Sequence, residues 1–368
     1  MFGKFFIYFK KLDFVLFFSV FLLLIFSLAE IYSIALSNDS LGLVNFKKQA
    51  LFVVIGILTL IVFSFFDYYN LRSFSIYLYI LGVLILIAVL FFGKTVSGTT
   101  GWFQIGAFSL QPVEFIKFIL ILFLARYFSG VSIRIAPLKH LLISGLLSGI
   151  LIFLVLMQPD FGSAMMLFSI WSAMVIFAGF KKKHLLLIVL LLIVIFASGW
   201  LFFFEDYQKE RIMTFLNPKE NSLDEGYNVN QAIIAVGSGG IIGRGIGFGS
   251  QSQLKFLPES QNDFIFAVIS EELGFLGVCL VIAFFSVIFA RLIISIKYIN
   301  NDFGIYFIIG TISLIFIQMF INIGMNIGLL PVIGISLPFL SYGGSAIISN
   351  MIFIGVAESI IIRSKIKY

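Results

Sequence analysis

The chain has 368 residues, of which 61% are hydrophobic and 11% charged, and its mean hydropathy is +1.12. No water-soluble core needs that much apolar sequence, so the class is polytopic membrane protein. One cysteine, Cys279, excludes an internal disulfide. Two histidines, His140 and His184, with no Cys/His cluster exclude a zinc site, and the net charge of +6 needs no nucleic acid because it sits mostly on one membrane rim beside anionic lipid.

The basic start, MFGKFFIYFKKLDF, leads into an apolar run without a small-residue cleavage site, and reads as a retained first helix rather than a signal peptide. Runs near spanning length lie at 13–35, 50–67, 73–93, 112–130, 140–158, 163–180, 184–204, 264–290, 303–325 and 343–362. The predicted fold is therefore all-α, with ten transmembrane helices in a single membrane domain over 1–368 and both ends on one side. Sidedness follows from Lys and Arg placement. Lys4, Lys10, Lys11, Arg72, Arg126, Arg134, Lys139, Lys181, Lys182, Lys183, Arg291, Lys297, Arg363, Lys365 and Lys367 share one side, 15 of the 24 basic residues. That side is cytoplasmic, and both termini are placed there. The large loop between helices seven and eight, 205–263, faces outward.

Within this loop, Val229-Asn230-Gln231-Ala232-Ile233-Ile234 and the glycines from Gly237 to Gly249 predict short amphipathic helices on the outer membrane surface, joined by glycine turns. The run Gly243-Arg244-Gly245-Ile246-Gly247-Phe248-Gly249 lacks the strand and the Gly-Lys-Ser/Thr ending of a nucleotide loop, so it reads as a flexible loop over a groove. Segment 94–111 is polar, glycine-rich and carries Trp102. Segment 326–342 has no charge and two prolines, Pro331 and Pro338, and looks broken or re-entrant, which is tolerated where backbone lines a cavity.

Few residues could carry chemistry. Asp263 stands where the chain re-enters the bilayer. It suits a helix N-cap, and equally a general base whose partial shielding from water tunes it for deprotonating a hydroxyl. Glu114 and Lys117, three apart, share a helix face, as a packing ion pair or as a cationic group for a pyrophosphate. Asp160 lies in the tight turn Gln158-Pro159-Asp160-Phe161-Gly162, which turn chemistry alone explains. Glu271 and Glu272 are adjacent on the eighth helix, so they should diverge and not face one partner. Glu30 and Glu358 are buried acids with no visible partner.

At these residues the chain resembles the SEDS family, the shape, elongation, division and sporulation proteins of bacteria. The motifs run in order over essentially the whole chain: Gly101-Trp102-Phe103-Gln104; Gln111-Pro112-Val113-Glu114-Phe115-Ile116-Lys117; Gln158-Pro159-Asp160-Phe161-Gly162; Ile234-Ala235-Val236-Gly237-Ser238-Gly239-Gly240; Gln251-Ser252-Gln253-Leu254; Phe256-Leu257-Pro258-Glu259; Asp263-Phe264 through Glu271-Glu272-Leu273-Gly274; Gly328-Leu329-Leu330-Pro331; and Leu337-Pro338-Phe339-Leu340-Ser341-Tyr342-Gly343-Gly344-Ser345. Gly101, Val113 and Gln261-Asn262 depart from the usual Arg, Ser and His-Thr, which puts any relay through the missing histidine in doubt.

The resemblance implies a peptidoglycan glycosyltransferase of the bacterial cytoplasmic membrane, polymerising lipid II, the undecaprenyl-pyrophosphate-linked disaccharide-pentapeptide. It implies Asp263 as the essential catalytic carboxylate and Trp102, Glu114, Lys117 and Asp160 as substrate-site residues. Arg211, Arg244 and Glu259 join that set as loop groups near the substrate. It favours Mg²⁺ or Mn²⁺, although no dedicated metal site is visible, and a class B penicillin-binding protein as the transpeptidase partner, since this chain has no outward Ser-x-x-Lys motif. Gln251-Ser252-Gln253-Leu254, Met325 and Gly334-Ile335-Ser336-Leu337-Pro338 look like the elongation branch, RodA; Gly245-Ile246-Gly247-Phe248-Gly249 leans toward the division branch, FtsW. The rival classes are a lipid II flippase, which needs charged groups through the membrane, and a scaffold, for which no single carboxylate is indispensable.

Overall fold

The computed structural model describes residues 10–36, 40–96, 98–106, 108–198, 209, 213, 215, 225–257 and 259–366. Helices dominate, at 76% of the structure. In chain order they are α1 (Phe14–Leu36), α2 (Ser40–Phe65), α3 (Tyr68–Phe92), α4 (Pro112–Gly130), α5 (Pro137–Leu156), α6 (Phe161–Phe177), α7 (Lys182–Ser198), α8 (Glu225–Ser238), α9 (Ser250–Gln253), α10 (Ile265–Ile296), α11 (Asp302–Asn326) and α12 (Gly344–Ile366). Among the described residues, seven are long and apolar enough to cross a membrane: α1, α2, α3, α5, α10, α11 and α12. The expected fourth, sixth and seventh spans are helical too, as α4, α6 and α7.

The helix pattern reflects which faces meet lipid and which meet protein. On α3, Phe74, Tyr77, Leu84, Phe91 and Phe92 are exposed, as an apolar face turned to hydrocarbon requires, while Tyr79, Gly82, Leu86 and Val89 point inward. Helix α4 is buried on nearly all sides, packed among α3, α5, α6, α11 and α12. Central placement lets it carry the charged pair Glu114 and Lys117 without exposing either to lipid. Helix α12 runs along α2, and α1 packs on α10 and α2. Toward the other end of α10, Arg291 donates from Nε and Nη2, one edge of its guanidinium, to the Asp13 carboxylate at 2.6–3.1 Å, and Glu358 accepts the Asp13 N–H at 3.1 Å. Glu358 therefore has a partner that its sequence position did not reveal.

The all-helical expectation needs one correction. Segment 94–110 folds as a three-stranded antiparallel sheet, β1 (Lys94–Val96), β2 (Thr99–Ile105) and β3 (Phe108–Leu110). Gly98 and Gly106 take positive φ, +82° and +60°, at the two turns, and the Thr, Trp, Phe and Ile of β2 are strand formers. Helix α2 also starts ten residues before the apolar run at 50, because Asn45, Lys47, Lys48 and Gln49 hide a continuous helix from a hydropathy reading.

Candidate functional site

Helix α10 starts at Ile265, and its cap residue is Phe264, with no side-chain cap bond. Asp263, for which a cap role was one expectation, thus lies one residue outside it and is half-buried. Its peptide carbonyl accepts two amide hydrogens, from Asn322 Nδ2 and Asn326 Nδ2, each at 3.0 Å. Asn326 Oδ1 takes the Ala267 N–H at 3.1 Å, an amide it shares with the Phe264 carbonyl at 3.0 Å. Asn322 Nδ2 also reaches the Ile335 carbonyl at 2.8 Å.

Residues 327–343 contain no regular secondary structure, as the prolines predicted, and pass directly beside Asp263. The Ser341 hydroxyl donates to the Asn262 carbonyl at 2.6 Å and accepts the Leu337 N–H at 2.8 Å. The Tyr342 N–H donates to the Gln261 carbonyl at 2.8 Å. At Gly334, φ is +69° and a Cβ would stand 3.7 Å from Asp263 Oδ2, so the carboxylate lies over this glycine.

Asp160 reaches the same stretch from another helix. It caps α6 by accepting the Ser163 N–H at 2.9 Å, and Gln111 Nε2 stands 3.5 Å from its other oxygen. A Cβ at Gly162 would meet the Ile333 carbonyl at 2.3 Å, so only glycine lets α6 approach this close. Asp160 and Asp263 are thereby brought to Ile333–Gly334 from α6 and α10. Trp102 is partly buried on β2, opposite Lys94, and β2 is tied to the turn before Asp160 by the Thr100 N–H to the Gln158 carbonyl at 3.3 Å. Glu259 is exposed one turn before Asp263 and accepts Asn262 Nδ2 at 2.5 Å. Glu114 and Lys117 form the expected ion pair at 2.6 Å, and both are buried. The Glu114 carbonyl accepts the Ser349 hydroxyl at 2.7 Å, which joins α4 to α12. Arg211 lies outside the described residues.

Deeper along α10, the acids do something else. Glu271 and Glu272 are both fully buried. Glu271 accepts the N–H groups of Gln251 at 2.8 Å and Ser252 at 3.2 Å. Glu272 accepts the hydroxyls of Ser33 at 2.6 Å and Ser252 at 3.4 Å, and the Gly247 N–H at 3.2 Å. The expectation that two adjacent acids could not face one partner is therefore wrong. The partner is a segment lying across the helix, and Ser252 presents its N–H to one acid and its hydroxyl to the other. Glu30, which was left without a partner, lies buried beside Glu272.

The glycine run is not a flexible cover. Helix α10 breaks at Gly274 (φ +65°, ψ −163°), and residues 239–247 fill the break. The N–H groups of Arg244 and Gly245 donate to the carbonyls of Glu271 and Glu272 at 3.0 and 2.9 Å, while Phe275 and Leu276 donate to Gly240 and Ile241 at 2.9 and 3.1 Å. Side chains have no room: a Cβ at Gly239 would meet the Ser270 carbonyl at 1.8 Å, and one at Gly243 the Glu272 carbonyl at 2.1 Å. Arg244 is exposed and bonds Ser250 Oγ at 2.8 Å, so its contacts belong to the Glu271 cluster. Helix α8 packs on α10 and α11, burying Ala232 and Ala235, where a surface-lying helix was expected.

Asn322, Asn326 and Ser341 were missed by the sequence reading. A signal existed, since Gln318, Asn322 and Asn326 recur every four residues on an otherwise apolar helix and so share one face.

A polytopic helical bundle with this acid-bearing crossing belongs to the FtsW/RodA/SpoVE family, described as cell cycle proteins, whose pattern matches residues 10–366. Among its relatives is stage V sporulation protein E of Bacillus subtilis strain 168, 37% identical over 315 residues, 84% of this chain and 85% of that protein. Another is the peptidoglycan glycosyltransferase MrdB of Escherichia coli K12, 32% identical over 338 residues, 92% of this chain and 90% of that protein. A solved chain from a peptidoglycan synthase complex that coordinates polymerization and crosslinking superposes with a TM-score of 0.81 at 25% identity, covering 96% of this chain and 98% of that one.

Proposed function

We propose that this chain is a peptidoglycan glycosyltransferase that polymerises lipid II, with Asp263 as its general base. The observation that carries the reading is the half-buried Asp263 carboxylate over Gly334, at the start of an apolar helix and beside an irregular segment that is only partly buried there. A lipid-linked sugar keeps its tail in the bilayer while its hydroxyl reacts outside, so its base belongs at such an interface. Asp263 takes the proton of the acceptor 4-hydroxyl. The freed oxygen attacks the anomeric carbon of the lipid-linked donor, undecaprenyl pyrophosphate leaves from the opposite face, and the α-linkage becomes β. A positioned base of this kind contributes roughly 10²–10⁴ in rate.

Around it we assign Trp102 and Asp160 to the substrate groove, Trp102 on the sheet tied to Gln158 and Asp160 at the start of the helix whose Gly162 meets Ile333, and Glu259 and Arg211 to the outer rim. Glu114 already neutralises Lys117, so that pair supports the groove from within α4. Arg244 acts through the splint at the α10 break. Among the described residues no group of three or more His, Cys, Asp or Glu side chains could hold a metal ion. Mg²⁺ or Mn²⁺, as the family resemblance suggests, would rely on the pyrophosphate for ligands, and no step here is routed through one.

The topology proposed is ten spans with both termini cytoplasmic and 205–263 outside. In a Cys279→Ala background, a cysteine at Ser222 then reacts with an impermeant thiol reagent in intact cells and one at Lys182 does not; the reverse pattern overturns it. Work in elongation alongside a class B penicillin-binding protein is the biological setting we infer, supported by the Gln251-Ser252-Gln253-Leu254 motif and by the synthase complex to which the fold is similar. The deciding experiment for the activity incubates purified protein with labelled lipid II. Glycan strands from the wild type and none from Asp263→Asn are expected. Normal strands from Asp263→Asn would refute the base, and none from the wild type, with or without the partner, would refute the activity.

A further inference from the structure

The two asparagines on α11 do more than join helices. Asn322 and Asn326 are both fully buried and one turn apart. Their amides converge on a single acceptor, the Asp263 carbonyl, at 3.0 Å each. The same two side chains also reach the remaining parts of the site. Asn326 Oδ1 holds the Ala267 N–H in the first turn of α10, and Asn322 Nδ2 holds the Ile335 carbonyl, next to the glycine under the Asp263 carboxylate. Asn326 Nδ2 further donates to the Asn322 carbonyl at 2.8 Å, so the pair is itself braced. Which amide atom points where is set by this network: the Asp263, Ile335 and Asn322 carbonyls can only accept, so each Nδ2 faces them and Asn326 Oδ1 is left toward the Ala267 N–H, which also donates to the Phe264 carbonyl at 3.0 Å.

From this geometry we infer that Asn322 and Asn326 are positioning residues that fix where the Asp263 carboxylate stands relative to residues 333–335. The inference rests on the reading of Asp263 as the base. An asparagine suits both places because one short side chain supplies donor and acceptor together. Aspartate would offer no donor to the Asp263 carbonyl, and alanine would leave it to drift. Two donors hold one carbonyl against rotation of the peptide that carries the base, and a site misplaced by about 1 Å can lose on the order of 100-fold in rate. A packing role alone would not need both donors on the residue that reacts.

The test uses the full-length protein in detergent with labelled lipid II, comparing Asn322→Ser and Asn326→Asp with the wild type and with Asp263→Asn. Four quantities are read: kcat, KM, the pH–rate profile and the unfolding midpoint. Positioning predicts that kcat per folded molecule falls about 10- to 100-fold while KM changes little, since binding precedes the step that needs the base. It also predicts that the acid limb of the pH–rate profile moves. A fall in kcat that only tracks lost folded protein, with an unmoved profile, would overturn it. So would unchanged kcat in both variants. Should Asn326→Asp not fold, Asn322→Ser decides alone, because it shortens the side chain without adding charge. The control separates two failures. If Asp263→Asn polymerises normally, the base reading falls and takes this inference with it. If Asp263→Asn is inactive while both asparagine variants keep kcat and profile, only the positioning role falls.

Discussion

Asp263, just ahead of α10, and Glu271 and Glu272, inside it, meet the surrounding chain in different ways. At Glu271 and Glu272 the carboxylates themselves are the structural parts, accepting backbone N–H groups and hydroxyls from 247–252 and α1. At Asp263 the asparagine amides land on the peptide carbonyl, and the carboxylate lies over a glycine. Two amides on its peptide carbonyl fix the backbone that carries the Asp263 carboxylate; at Glu271 and Glu272 the carboxylates themselves tie 247–252 and α1 to the helix.

This contrast can be stressed in several places. The largest structural effect is expected at another buried acid, Glu114. Glu114→Ala strands Lys117 inside the bundle and should cost about 3–5 kcal/mol in a detergent unfolding assay. Swapping the pair, Glu114→Lys with Lys117→Glu, should return most of that stability but not glycan synthesis, since the cation has moved nearly a turn. Full activity in the swapped protein would remove both residues from the site.

Next is the splint. Gly243→Ala needs a side chain at φ +78° and against the Glu272 carbonyl, and should cost about 2–4 kcal/mol. Gly237→Ala, where a Cβ meets nothing, should be neutral or stabilise by up to about 1 kcal/mol. Equal behaviour of the two would mean that the break at Gly274 does not depend on the loop. The smallest effect on stability is at Asp160. As a cap alone, Asp160→Ala should cost about 1 kcal/mol and Asp160→Asn almost nothing, with synthesis intact in both. A large loss of synthesis in a stable Asp160→Asn would place its carboxylate with Asp263 in the chemistry.

The helices were legible because hydrophobic runs of spanning length leave little choice, and the irregular stretch 327–343 was legible from Pro331 and Pro338. The β-sheet was not, because its strands are short and only the glycines at 98 and 106 mark its turns. Asp263, Glu114 and Lys117 were visible as charges in apolar surroundings. What the sequence concealed was bonding between distant segments. Nothing local to Glu271-Glu272 announces that Ser252 will bridge them, and nothing local to Gly239–Gly247 announces a broken helix to be filled. The asparagines of α11 were missed because uncharged amides attract less notice than acids, although their four-residue spacing was there to read.

The division of labour along α10 is tested most directly by one paired measurement: kcat on labelled lipid II and the unfolding midpoint, for Asp263→Asn and Glu271→Gln side by side. A catalytic Asp263 and a structural Glu271 predict opposite results. Asp263→Asn should lose about 10²–10⁴ in kcat with its midpoint unmoved. Glu271→Gln, which turns an amide donor toward buried N–H groups, should lose about 1–3 kcal/mol of stability and keep its kcat per folded molecule. Normal strands from Asp263→Asn, or a stable Glu271→Gln that makes none, would contradict it.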